Sequence, residues 1–276
     1  MNKNLALEHL FGKPRVLVGV VHLGPLPGSP GYRGSMDEIL ERAVADAAAL
    51  EAGGLDGAIV ENFGDAPFYP ERVPPETVAA MTRVVAEIRR LRKFPVGVNV
   101  LRNDAHSALA IAAACGARFV RINVHVGASL TDQGVLTGTA HGTLRLRRSL
   151  WPEGQQAPLL FCDVDVKHAV PLAPRALEEW AADTFHRGGA DALLVTGTGT
   201  GKEPDWEDLR RVQRGVPEAP VLIASGVTEA SVGRALREAH GAIVGSALKR
   251  EGRANQAVEP QRVRAFVEAA RREVPA

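Results

Sequence analysis

Two cysteines in 276 residues, Cys115 in a helical run and Cys162 in a strand-like one, give no basis for a disulfide framework or a CxxC motif. Both are expected to be buried and reduced. The sequence also lacks an apolar run of the ~20 residues that a membrane-crossing helix needs, which excludes a helical span. The opening stretch MNKNLALEHLFGKPR has no apolar segment long enough for a signal-peptide core before Pro14, so a cytoplasmic protein is expected. An excess of one charge is missing too. Lys and Arg number 33 against 32 Asp and Glu, a formal net charge of +1, which offers no general attraction to nucleic acid. Without a strongly basic amphipathic helix, any contact with a membrane is expected to be peripheral. No linker, low-complexity tract or domain-sized shift in composition interrupts the chain, so residues 1–276 are expected to fold as one domain. Lysine is scarce, most of the basic charge being arginine, and this makes a lysine in the middle of the chain conspicuous.

What the chain does have is a repeated grammar. RVLVGVV is followed by a Gly/Pro-rich loop and the helix-spaced MDEILERAVADAAALEAGG. The pattern returns as DGAIVEN, PVGVNVL, RFVRINVH, PLLFCDVDV, DALLVTG, PVLIASG and HGAIVGSAL, each followed by a helical segment, the one after RFVRINVH lying near 140–150. Eight short buried strands alternating with amphipathic helices imply an all-parallel sheet, and eight such units close into a (β/α)8 TIM barrel. A doubly wound sheet with extra elements is the alternative.

In such a barrel the strand C-termini and the loops after them carry the chemistry. Along the fourth strand Arg121, Asn123 and His125 alternate with Ile122 and Val124, so the period of two sets the three polar groups on the interior face. Buried there, they must bond one another, water or a ligand. The fifth strand repeats the device with Asp163 and Asp165, followed by Lys167. Two carboxylates and a lysine are compatible with acid/base catalysis, with a Schiff-base lysine, with a divalent-metal site or with an ion pair in the barrel mouth. Glu61 and Asn62 end the second strand. A Glu there can serve as general base, while Asn99 and Arg102 can fix a hydroxylated or anionic substrate. Asn103 or Asp104 is expected to cap the helix that follows. His22 closes the first strand, where a ligand contact and a structural hydrogen bond are both compatible with it.

The last two repeats end in turns of small residues, Ser225-Gly226-Val227 and Gly245-Ser246-Ala247. The loops after strands seven and eight of a barrel commonly bind phosphate, because glycine lets the backbone N–H groups approach an anion. The run Thr196 to Lys202 (TGTGTGK) fails the Walker pattern because Glu203 stands where Ser or Thr is needed, and it is expected to be a Gly/Thr lid with Thr196 as a polar contact. Residues 127–142 are too long for an ordinary strand-to-helix connection and are expected to cover the site or touch a neighbouring subunit.

Five collinear passages, VVHLGPLPGSPGY, GGLDGAIVENFGDAPF, GVNVLRND, RINVHVGASLTDQG and DVDVKHAVPL, resemble the BtpA family over nearly the whole chain. The resemblance implies a barrel of the phosphate-binding type. It matches the family's shared polar positions with Glu61, Asn62, Asn99, Arg121, Asn123, His125, Asp163 and Lys167. The family takes its name from a protein implicated in photosystem I biogenesis, and relatives occur where no photosystem exists, so no single reaction follows from the resemblance. The expected function is enzymatic: acid/base isomerase or lyase chemistry on a small phosphorylated metabolite, a sugar phosphate or nucleotide-like compound. Glu61, His125, Asp163 and Lys167 would be catalytic. His22, Asn62, Asn99, Arg121, Asn123, Asp165 and Thr196 would bind substrate, and no metal or cofactor is called for. The alternative is a non-catalytic assembly or biogenesis factor on the same scaffold. Self-association into a homo-oligomer is also expected.

Overall fold

Val16–His22, seven consecutive buried residues, form the first strand, β1, and its side chains divide by parity. Val16, Val18 and Val20 join the interior cluster, whereas Leu17 and Val21 pack among the helices. The same division recurs in every strand of the sheet. The computed structural model describes residues 3–166, 168–197 and 205–273. In chain order these form α1 (Lys3–Phe11), β1, α2 (Met36–Ala52), β2 (Gly57–Glu61), α3 (Pro75–Leu91), β3 (Val96–Asn99), α4 (Ala105–Cys115) and β4 (Phe119–Ile122). There follow β5 (Ala128–Thr131), β6 (Gly134–Thr137), α5 (Ala140–Leu150), β7 (Leu159–Val164), β8 (Ala169–Pro171) and α6 (Leu177–Ala182). The chain ends with β9 (Ala192–Val195), α7 (Trp206–Gly215), β10 (Val221–Ile223), α8 (Val232–Glu238), β11 (Gly241–Val244) and α9 (Pro260–Glu273).

Eight of these strands close a parallel barrel in the order β1-β11-β10-β9-β7-β4-β3-β2. The doubly wound alternative is thereby excluded. Buried on both faces, these strands need apolar residues at nearly every position, which is why they read as continuous runs. The lower interior is filled by Val16, Val18, Ile59, Phe119, Phe161, Leu194 and Leu222. Phe119 and Phe161 stack with centroids 4.8 Å apart. Gly97 makes room for this pair, since a Cβ there would lie 2.2 Å from the Phe119 ring. Helix α1 closes the barrel floor through Leu7 and Phe11, the latter 5.8 Å from Phe119.

Local sequence explains the helix starts. Ser35 accepts a bond from Glu38 N at 3.2 Å and caps α2. Asp104 caps α4, accepting from Ser107 N at 2.9 Å, and its other oxygen accepts from Val73 N, which ties the loop after β2 to the top of β3.

Residues 127–142 are not an open loop. β5 and β6 form a hairpin, and β8 pairs with β5 on its other edge, giving a three-stranded antiparallel sheet beside the barrel mouth. One face packs Leu136 on Val124 and Val166. The other leaves Leu130, Val135, Val170 and Leu172 about half exposed or more. Among the described residues no helix is long and apolar enough to cross a membrane.

Candidate active site

Toward the C-terminal ends of the strands the interior changes from apolar to polar. The positions that continue the inward parity are His22 of β1, Glu61 of β2, Asn99 of β3, Arg121 of β4 and Asp163 of β7, all buried. They form one network. Arg121 donates to both oxygens of Asp163, Nε to Oδ1 and Nη2 to Oδ2, each at 3.1 Å. Its Nη1 donates to Glu61 Oε1 at 3.3 Å. Asn123 Nδ2 donates to Asp163 Oδ2 at 2.7 Å, and Asn99 Nδ2 donates to Asn123 Oδ1 at 3.3 Å. Burial works against the Arg121 charge, but Asp163 and Glu61 outweigh it and hold its pKa above the ordinary guanidinium value. A carboxylate pair around one guanidinium is the arrangement that lets buried charges persist.

The second oxygen of Glu61 faces His22, with Nε2 3.7 Å from Oε2. His22 Nδ1 lies 3.0 Å from the Ala254 carbonyl. A carbonyl only accepts, so Nδ1 carries a proton, and Nε2 is the nitrogen turned toward Glu61. The ring rests on Phe63 at 4.5 Å. Two titratable side chains therefore meet at the ends of β1 and β2. Asn99 adds an acceptor: its Oδ1 is buried and bonds no other described group, which in a native interior calls for a ligand or water.

The two small-residue turns stand next to this pair. β10 and β11 are neighbours, and β11 pairs with β1, so Ser225-Gly226-Val227 and Gly245-Ser246-Ala247 leave the barrel side by side. Gly226 has φ +74°, a conformation that favours glycine. Ser246–Leu248 make a single 3₁₀ turn closed by a bond from Leu248 N to the Gly245 carbonyl. A Cβ on Gly245 would lie 3.1 Å from His22 Cε1, so glycine here brings the turn's backbone against the imidazole.

Other sequence-selected residues are placed differently. The alternation expected to carry Arg121, Asn123 and His125 along one face stops at Asn123. β4 ends at Ile122, and the Asn103 side chain takes the place of a neighbouring strand, donating to Val124 O at 2.9 Å and accepting from Val124 N at 2.8 Å. The chain then turns, and His125 Nε2 donates to the Gly188 carbonyl at 2.7 Å, apart from the Arg121 network. Asn62 also works on backbone: its Oδ1 accepts from Leu101 N at 2.7 Å and its Nδ2 donates to Asp65 at 3.0 Å. Asp165, past the end of β7, adopts φ 57° and is exposed, so it does not repeat Asp163 on the interior face. Its carbonyl accepts from Thr196 Oγ1 at 3.3 Å. Lys167 and the run from Thr198 to Lys202 lie outside the described residues.

Two groups enter that sequence reasoning underused or missed. Arg102 is buried at the mouth. Burial lowers its pKa, while among the surrounding charges Asp163 raises it and Arg121 lowers it. Lys249 is fully buried and pairs with Asp46 across 3.4 Å. The other Asp46 oxygen accepts from Val258 N at 2.8 Å. The pair thus braces the loop after β11, the loop whose Ala254 carbonyl sets the His22 tautomer. The signal for it lay in α2, where Asp46 shares the buried face with Ala43, Ala47 and Leu50. Among the described residues no group of three or more His, Cys, Asp or Glu is disposed to hold a metal ion.

Burial lowers the His125 pKa below the ordinary histidine value, against the Gly188 bond and Asp191, which raise it. The unfolded chain then binds more protons between the two values. This contribution to stability is complete above the unfolded pKa of about 6.5 and is lost as pH falls through that range. Denaturant unfolding from about pH 7.5 to about pH 5 should show a steeper loss for the wild type than for His125→Gln, whose amide keeps the bond to Gly188 without titrating. Parallel curves would contradict the placement.

A model of the BtpA family matches residues 13–272. The photosystem I biogenesis protein BtpA of Synechocystis is 48% identical over 95% of this chain and 90% of its own length. An uncharacterised mitochondrial protein of Caenorhabditis elegans is 31% identical, over 97% of both chains. Among solved structures, the N-(5'-phosphoribosyl)anthranilate isomerase of Pyrococcus furiosus superposes with a TM-score of 0.55 at 14% identity, over 94% of this chain and 99% of that one. The thiamine phosphate pyrophosphorylase of the same organism does so with a TM-score of 0.57 at 12% identity, over 95% and 97%. At these identities the likeness is one of fold.

Proposed function

The chain belongs to the BtpA family, and on that premise we propose that it is an enzyme that moves a proton within a small phosphorylated, hydroxylated metabolite, as an isomerase or lyase. The observation that carries this reading is the contact of Gly245 with His22. It sets a turn suited to phosphate one side chain away from an acid/base pair. Two solved structures of the same fold, an N-(5'-phosphoribosyl)anthranilate isomerase and a thiamine phosphate pyrophosphorylase, are named for phosphorylated compounds and lend the same support.

In this reading the backbone N–H groups of residues 225–227 and 245–247 hold the phosphate. The reacting carbon then lies over Glu61 and His22; a Glu61 oxygen takes its proton and the resulting carboxyl gives the same proton back to the neighbouring carbon, with His22 beside it as a hydrogen-bond partner. Arg121 bonds the Glu61 oxygen turned away from His22, and Arg102 and Arg121 together favour negative charge developing on a substrate oxygen. Asn99 Oδ1 accepts from a substrate hydroxyl. Asp163 fixes Arg121 and Asn123 instead of meeting substrate. Lys167, one position past Val166 and beyond the end of β7, remains a proposed catalytic partner by its place in the sequence.

A second reading, a non-catalytic assembly factor, is favoured by the outer face of the small sheet, where Leu130, Val135, Val170 and Leu172 stand exposed together. The name of the Synechocystis relative points the same way. A thermal-stability screen separates the two. A phosphorylated ligand at about 100 times its Kd should stabilise the fold by about 2.7 kcal/mol, a shift of several degrees, and its dephosphorylated counterpart should not. With the ligand found, Glu61→Gln should lower turnover by about 10²–10⁴-fold. Cooperative melting with no shift by any phosphorylated compound would favour the assembly factor.

A further inference from the structure

A cavity of about 620 Å³ opens on the N-terminal face of the barrel, at the end opposite to His22 and Glu61. Its floor is apolar, made by Leu17 near the start of β1, Leu236 of α8, and Val267 and Ala270 of α9. Its rim is cationic, with Lys13, Arg15 and Arg271. The carboxylate among the lining residues, Asp56, is already committed. One oxygen takes Lys13 Nζ at 2.6 Å and the other accepts from Leu17 N at 2.8 Å. Arg15 and Arg271 form no ion pair among the described residues. Gly54, at φ +92°, lets Arg271 lie against the backbone, since a Cβ there would sit 3.2 Å from Nη2.

We propose that this cavity is a second binding site, separate from the barrel mouth, for a small amphiphilic carboxylate. The two guanidiniums take the carboxylate through charge-assisted N–H···O bonds, and an alkyl or aromatic body covers the apolar floor. The volume falls within the ~300–1,000 Å³ of ordinary small-molecule pockets, and the lining is, like theirs, an apolar surface with a few polar groups at its edge. The N-terminal face of a barrel serves stability and needs no such pair of unmatched cations over an apolar hollow. The site does not depend on what the mouth binds.

Calorimetric titration of the full chain with octanoate tests it, with octanol as the same body without charge and acetate as the same charge without a body. Octanoate should bind, and octanol and acetate should bind at least about tenfold more weakly. Arg271→Glu and Arg15→Glu, both exposed and remote from the mouth, should each weaken octanoate about tenfold or more, the loss of one bond to a charged group. Arg271→Gln serves if charge reversal disturbs the melting of α9. The proposal is overturned if octanoate fails to bind at low-millimolar concentration, if octanol or acetate matches it, or if the variants bind it unchanged.

Discussion

Replacing Arg121 by methionine is expected to lower the unfolding free energy by about 3–5 kcal/mol, the largest effect on stability of any single change at the mouth. Methionine fills much of the same volume, so the cost is not a cavity. It comes from Asp163 and Glu61, which are left buried with their carboxylates facing each other's vicinity and no cation between them. Asn123 still reaches Asp163, but one amide does not replace two bonds from a guanidinium. Arg121→Lys should recover only part of the loss, because an ammonium is a point charge and lacks the fork that meets both Asp163 oxygens. A triple variant, Arg121→Met with Glu61→Gln and Asp163→Asn, should regain much of it, since neither carboxylate is then left charged without its guanidinium. Urea unfolding measures all three. A loss under about 1 kcal/mol for Arg121→Met would mean that the network is open to water and that the ion pairs are of the weak surface kind.

Gly226→Asp is expected to abolish binding of a phosphorylated ligand while leaving the protein folded. Asp tolerates left-handed backbone better than most residues, so φ +74° costs the variant little. Its carboxylate, however, would stand where the phosphate is to sit. Two like charges about 4 Å apart near a protein surface repel by about 4 kcal/mol, which corresponds to about 10³ in affinity. Gly226→Asn has the same shape without the charge and should lose far less. The difference between the two variants isolates electrostatics from strain.

The barrel and its polar upper layer were legible in the sequence because both follow from a period of two in short buried strands. Parity alone sets Arg121, Asn123 and Asp163 inside, and the structure joins them in one network. Parity failed at His125 because it holds only while the strand lasts. The Asn103 side chain stands in for a strand neighbour at Val124, and the chain leaves the barrel two residues early. Asp165 departs for the same reason beyond β7. The small sheet was unreadable for a different cause, since β8 joins the hairpin from 38 or more positions away along the chain, with Thr131 opposite Ala169. Lys249 and Asp46 are 203 positions apart, and nothing local announces that a lysine after a turn folds inward. His22 is compatible in sequence with a ligand contact or a structural hydrogen bond, and the structure gives it a structural one, to Ala254 O on Nδ1, with Glu61 beside Nε2.

The measurement closest to the central claim is a titration of wild type, Gly226→Asn and Gly226→Asp with whichever phosphorylated compound most raises the melting temperature. Wild type should bind it and ignore its dephosphorylated form, Gly226→Asn should bind it more weakly, and Gly226→Asp should lose it by about two orders of magnitude or more. Equal affinity in wild type and Gly226→Asp would place the phosphate elsewhere and would separate the small-residue turns from His22 and Glu61 beside them.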